Sequence, residues 1–259
     1  MRVLIIVFVL LPSVCFSTAS PTTISQKRLP NETFHQAFMR AKKSMPKPVF
    51  PESHTAMENR VPIMSIDYSK VPSVKTHQEL INVFHLVRDS RFLATKNNPD
   101  FLRRITWLYP DEGCFARAAL GGIKADDADV TRPAKIFAFG RLQVKTPFSP
   151  EGSVSWWFHV ALVIGYMGDY YVIDPAIDQH APMPVYEWYE TMSYDTRKLT
   201  GVVCNQYTYS ALDDCFNATS KSDARAESDE SSFLDDEWQR VKALGFDPNL
   251  ILGESPPWA

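Results

Sequence analysis

The stretch Tyr109-Pro110-Asp111-Glu112-Gly113-Cys114-Phe115-Ala116-Arg117-Ala118 decides how this chain is read. Pro110 ends whatever precedes it and biases its neighbour away from helix. Phe115-Ala116-Arg117-Ala118-Ala119-Leu120 then contains strong helix formers, with Gly121-Gly122 as the expected stop. Cys114 therefore falls where a turn becomes a helix. The first amides of a helix lack intrahelical partners and carry partial positive charge, which favours thiolate over thiol. Cys114 is a candidate nucleophile, and its amide is a candidate oxyanion donor.

Downstream, Ile136-Phe137-Ala138-Phe139, Ser155 to Ile164 and Tyr170 to Ile173 are rich in β-branched and aromatic residues, and Met167-Gly168-Asp169 reads as a hairpin turn. The second run carries Trp156-Trp157-Phe158-His159-Val160-Ala161 and the third leads into Asp174-Pro175. A hairpin would bring His159 and Asp174 onto neighbouring strands. An imidazole there can take the thiol proton and return it to a leaving amine, and a carboxylate can fix the ring's tautomer. Each residue also has a plain structural reading: Cys114 as a small core hydrophobe, His159 as a hydrogen-bonded core histidine, Asp174 as a turn residue.

Upstream, Thr76-His77-Gln78-Glu79 matches a capping box, and Leu80, Val83, Phe84 and Val87 follow on one helical face. A second helical run is expected from Asp100 to Trp107. Helices first and strands later predict an α+β domain, with the cysteine helix packed on an antiparallel sheet that carries His159 and Asp174.

With 259 residues, 45% apolar and 22% charged, the chain suits one domain with extensions. Its net charge of −3 offers no basic field for nucleic acid. Arg2, the apolar run Val3 to Val14 and Ser17-Thr18-Ala19 predict a secretory signal peptide over 1–19. The run is too short to cross a hydrocarbon core of about 30 Å, so no stable membrane anchor is expected after cleavage. The expected location is secreted or periplasmic.

Residues 20–72 are proline-rich and polar, and read as an extended or loosely held leader, either a pro-segment or an arm wrapping the domain. The catalytic domain is expected over 73–219. Residues 220–259 comprise a charged, serine-rich linker up to Ser232 and an amphipathic helix through Phe233, Leu234, Trp238, Val241 and Leu244, ending at Gly245.

Once Cys15 leaves with the signal, three cysteines remain. Cys204 and Cys215 form the expected disulfide across a short loop, which leaves Cys114 free. The alternative is three reduced thiols in a protein that is never exported. No Cys-x-x-Cys or His-Glu-x-x-His occurs, so no metal is expected, and Asp126-Asp127-Ala128-Asp129 reads as a solvated loop.

Three segments together carry a resemblance: Trp107 to Ala118, Trp157-Phe158-His159-Val160-Ala161, and Val172-Ile173-Asp174-Pro175. In these the chain resembles the protein-glutamine glutaminase family, secreted bacterial enzymes that deamidate glutamine side chains within proteins. The resemblance implies a papain/transglutaminase-like core and a triad with Cys114 as nucleophile, His159 as general base and acid, and Asp174 orienting the ring. It further implies no cofactor, protein or peptide substrates bearing glutamine, and an inhibitory pro-segment. The sequence departs from the family pattern at Ala119-Leu120-Gly121-Gly122, just after the cysteine motif. A transglutaminase or a cysteine protease would use the same triad. A non-enzymatic exported effector or binding domain would instead use Tyr186, Trp188, Tyr189 and Tyr194 as a contact surface.

Overall fold

Thr76 accepts from the Glu79 amide while the Glu79 side chain reaches back to the Thr76 amide, so the reciprocal cap starts a helix where it is expected. The computed structural model describes residues 24–45, 50–95 and 98–259. The signal peptide, Cys15 and Pro46-Lys47-Pro48 of the leader lie outside the described residues.

Six α-helices are described: α1 (Phe34–Ser44), α2 (His77–Asp89), α3 (Cys114–Asp127), α4 (Val185–Met192), α5 (Ala226–Ala243) and α6 (Pro248–Ile251). The strands are β1 (Val61–Pro62), β2 (Ser73–Val74), β3 (Arg91–Leu93), β4 (Arg103–Arg104), β5 (Ala134–Lys145), β6 (Ser153–Tyr166), β7 (Asp169–Ile173), β8 (Met183–Pro184) and β9 (Thr200–Cys204). β3 pairs with β4 alone. The others form a mostly antiparallel sheet in the order β1-β9-β5-β6-β7-β8, with β2 added in parallel to β6.

Ile136 to Phe139 of β5 and Val160 to Ile164 of β6 are wholly apolar because both faces of the sheet are covered there, whereas Arg141, Gln143 and Lys145 in the second half of β5 are exposed. One face packs Phe137, Val160, Leu162 and Ile164 against Val87 of α2 and Leu120 of α3. The other packs Ile136, Ala138 and Val163 against Trp188 and Met192 of α4. The β6–β7 hairpin turns through Met167 at φ +53° and Gly168 at φ +90°, left-handed values that suit the twist of the paired strands. Cys204 at the end of β9 is disulfide-bonded to Cys215. A loop of that size stabilises by roughly 2–4 kcal/mol.

Four local expectations are corrected. Gly121-Gly122 does not stop α3; a Cβ at Gly121 would lie 2.8 Å from Leu162 and 2.9 Å from Val87, so glycine lets three elements pack closely. Asp100 to Trp107 is not helical. Arg103–Arg104 is a strand, and the amides of Thr106 and Leu108 donate to Glu230 and Glu237 of α5. Residues 220–225 are 3-10 helix and α5 starts at Ala226, so the stretch read as linker is ordered and buries Asp229 and Glu230. Asp126 and Asp127 form the last turn of α3 and pair with Arg132 and Lys124, so they are not loop residues.

The leader also differs from an extended segment. A reciprocal cap between Thr33 and Gln36 starts α1, which buries Ala37 and Ala41. Phe34 and Phe38 pack against Trp157 of β6 at ring separations of 6.2 and 5.9 Å. Phe34, Ala37, Phe38 and Ala41 do recur at helical spacing, but a single short apolar stripe is marginal until a distant tryptophan completes it.

Candidate active site

α3 starts at Cys114 because Gly113 turns the chain. Its φ of +86° is left-handed, and a Cβ there would lie 2.8 Å from the Phe233 ring of α5. Both conformation and space demand glycine. One turn into α3, Arg117 folds back and donates to the carbonyls of Tyr109 at 3.0 Å and Glu112 at 2.6 Å, which clamps the cysteine loop onto its helix.

His159 sits near the middle of β6, beside a slip in the β5–β6 register between Phe139 and Leu142. Across that slip the facing of side chains changes phase: Trp156 packs with Ala161 and Val163, whereas Trp157, Phe158 and Val160 face the other layer. Trp156 and His159 consequently stack, with ring centres 4.4 Å apart and 10° between planes. His159 Nε2 lies 2.7 Å from Asp174 Oδ2 just beyond the end of β7, and Trp188 Nε1 donates to the same oxygen at 2.9 Å.

All three groups are buried. Burial opposes charge on Asp174, but the neighbouring His159 ring and the donors from His159 and Trp188 outweigh it and hold the acid below the ordinary aspartate range. An ionised Asp174 keeps the proton on Nε2. Nδ1 of His159, buried and without a hydrogen-bond partner, is then the nitrogen with a free lone pair.

Cys114 and Asp174 line one narrow cleft with Arg117, Val160 and Ile173. Its volume is about 10 Å³, barely one water's worth. The structure thus brings His159 and Asp174 into contact and places Cys114 beside Asp174. No hydrogen bond among the described residues joins the Cys114 sulfur to His159. Burial pushes the thiol up to about 12, reinforced by the Glu112 and Asp174 carboxylates and opposed by Arg117 and the Val160 amide. The expected lowering by the helix start is overridden, because desolvation of a fully enclosed sulfur exceeds the effect of a few amides.

The leader packs onto the cysteine loop. Gln26, fully buried, accepts the Cys114 amide on its side-chain oxygen at 3.0 Å. Its backbone carbonyl accepts from the Trp157 amide at 3.0 Å, and Lys27 forms an isolated antiparallel bridge with Trp156. Glu112 of the cysteine motif accepts from the Ser25 hydroxyl and from the Gln26 amide at 2.9 Å. Lys27 pairs with Asp111, which Arg240 of α5 also holds at 2.6 Å.

Gln26, Glu112, Arg117 and Trp188 are the neighbours that sequence reasoning does not single out for the site. Trp188, which the non-enzymatic alternative would place on a contact surface, is buried with Tyr189, while Tyr186 and Tyr194 are exposed, so the four do not form one surface. Glu112 and Arg117 lie within the quoted cysteine motif, and that adjacency is the available signal. Gln26 offers none. Among the described residues no group of three or more His, Cys, Asp or Glu is arranged to hold a metal.

A family model described as glutaminase matches residues 80–192, a span that holds Cys114, His159, Asp174 and Trp188 and leaves out the leader and α5. Over that stretch the chain is similar to the glutaminase family, which supports a hydrolase acting on glutamine. The chain is similar to a crystal structure of protein-glutaminase at 18% identity, covering 53% of this chain and 76% of that one with a TM-score of 0.40. It is similar to a mutant of pro-protein-glutaminase at 16% identity, covering 72% and 76% with a TM-score of 0.44. The NMR structure of protein-glutaminase from Chryseobacterium proteolyticum aligns at 19% identity over 61% of this chain and 86% of that one, with a TM-score of 0.41. No curated protein matches the chain.

Proposed function

We propose that this chain is an exported thiol amidohydrolase, built on a papain/transglutaminase-like core, that converts glutamine side chains of proteins or peptides to glutamate and releases ammonia. The observation that carries the reading is the Cys114 amide donating to the carboxamide oxygen of a glutamine, Gln26. That is the group an oxyanion hole must receive, held at the residue whose sulfur would attack.

In the proposed reaction the Cys114 proton passes to His159 Nδ1 as the sulfur attacks the carboxamide carbon. The amide oxygen takes the developing charge against the Cys114 amide. His159, kept in register by Asp174, then protonates the departing nitrogen, and the C–N bond breaks to give ammonia and a thioester. Water, deprotonated by His159, adds to the thioester and frees glutamate and the thiol. No cofactor enters.

Residues 73–219 would form the catalytic domain and 20–72 a pro-segment that closes it, since Gln26 fills the space a substrate side chain needs. The signal-like residues 1–19 and the Cys204–Cys215 disulfide support export. The test is product analysis after the leader has been cut away. Ammonia with a gain of about 1 Da per converted glutamine and no new termini or cross-links supports thioester hydrolysis. Cross-linking to lysine selects a transglutaminase, and new termini select a protease.

A further inference from the structure

A side chain that only fills a site needs no more than bulk. What the leader delivers is a carboxamide with its oxygen on the Cys114 amide at 3.0 Å and its Nε2 buried without a hydrogen-bond partner. An unpaired buried amide nitrogen is a costly arrangement for a purely structural plug. A methionine or leucine would fill the same volume without it.

The backbone around Gln26 is held on both sides: its carbonyl by the Trp157 amide, its amide by Glu112 at 2.9 Å, and the Arg28 amide by the Ser155 carbonyl at 2.9 Å. The side chain is thus presented from a fixed, strand-like frame. Such a frame supplies the proximity that otherwise has to come from binding.

We propose that Gln26 is the chain's own first substrate: Cys114 deamidates it within the same molecule, once per chain, leaving a glutamate at position 26 of the leader. This rests on the amidohydrolase reading above. The Cys114 sulfur bonds to the Gln26 Cδ, the Cδ–Nε2 bond breaks, and the nitrogen leaves as ammonia with a proton returned by His159. Departure of ammonia vacates the space for the water that cleaves the Cδ–S bond. The net change is glutamine plus water to glutamate plus ammonia, with no oxidant or reductant. The cleft of about 10 Å³ beside Cys114 has little room for a second molecule until that departure, so the step runs as a single slow turnover.

The experiment uses the full chain, uncut, incubated in ¹⁸O-water, with the peptide containing residue 26 read by mass spectrometry. The expected result is a glutamate carrying one ¹⁸O at position 26 in the wild type, and Gln26 retained in Cys114→Ala. Mixing unlabelled wild type with isotope-labelled Cys114→Ala tests the route: Gln26 of the labelled, inactive chain should stay intact. Conversion of Gln26 at the same rate in both chains would overturn the intramolecular step. Leader-cut protein assayed on an added glutamine-bearing protein separates the two levels of failure. An intact Gln26 with active cut enzyme overturns this inference and leaves the amidohydrolase reading standing; an intact Gln26 with inactive cut enzyme removes both.

Discussion

Trp188 Nε1 and His159 Nε2 converge on one oxygen, Oδ2 of Asp174, at 2.9 and 2.7 Å. Two donors on a single buried carboxylate oxygen keep it ionised and aim the ring. In the proposed reaction Trp188 is therefore a positioning residue. Trp188→Phe keeps the aromatic bulk and deletes the donor, and a hydrogen bond to a charged group contributes about 1.5–3 kcal/mol. The acid's pKa should rise, so the acidic limb of the kcat/KM profile should move to higher pH by about one to two units. A pH–rate profile checks this; a uniform loss at all pH values would mean the residue acts only through packing.

The leader's grip should govern thiol reactivity. Lys27 pairs with Asp111 at the edge of the cysteine loop and touches neither Cys114 nor His159. Lys27→Glu replaces that pair, exposed at the lysine and buried at Asp111, with repulsion, about 1 kcal/mol or more. Alkylation of Cys114 by iodoacetamide at pH 7.5, slow in the wild type because burial pushes the thiol up to about 12, should accelerate several-fold. Equal rates in the two proteins would show that the leader does not control access to the sulfur.

Gly113→Ala should damage the loop and the site together. The substitution forces a side chain onto φ +86° and places Cβ 2.8 Å from the Phe233 ring. Strain of this kind costs on the order of 1–3 kcal/mol. Denaturant melts should show the loss, and Gly113→Ala with Phe233→Leu should recover part of it by relieving the ring contact but not the dihedral.

Stability should fall as pH rises from about 4.5 to about 7. Burial pushes Glu230 up to about 7 although Thr106 donates to it, and burial raises Glu112 and Glu237 as well. For an acid whose folded pKa lies above its unfolded one, the native state binds the extra proton, and stability is lost through the window between the two values. Glu230→Gln keeps an acceptor for the Thr106 amide without the charge. Thermal melts of this variant should depend less on pH across that window and exceed the wild type at pH 8. An unchanged slope would place the pH dependence elsewhere.

How much of this is legible in the sequence depends on whether the cause is local. The Thr76–Glu79 cap and the Met167-Gly168 turn are set by neighbouring residues, and both are where the sequence places them. His159 and Asp174 meet because one tight hairpin pairs their strands, so their proximity can also be anticipated. Asp100 to Trp107 reads as helix, yet the amides of Thr106 and the nearby Leu108 are taken by Glu230 and Glu237 from a helix far along the chain. Gly121 reads as a stop because nothing local reveals that Leu162 and Val87 close on it. Gln26 reaches Cys114 through contacts with β6 and with Glu112, both distant in sequence, so its place in the site is invisible in a proline-rich leader.

In the proposed reaction Cys114 attacks a glutamine carboxamide with His159 and Asp174 managing the proton. The most direct measurement of that step is initial-rate ammonia release from a glutamine-bearing protein by leader-cut wild type and leader-cut Cys114→Ala, both shown to be folded by their melts. Loss of the nucleophile should lower the rate by at least about a thousandfold. Ammonia released at comparable rates by both proteins would contradict the account.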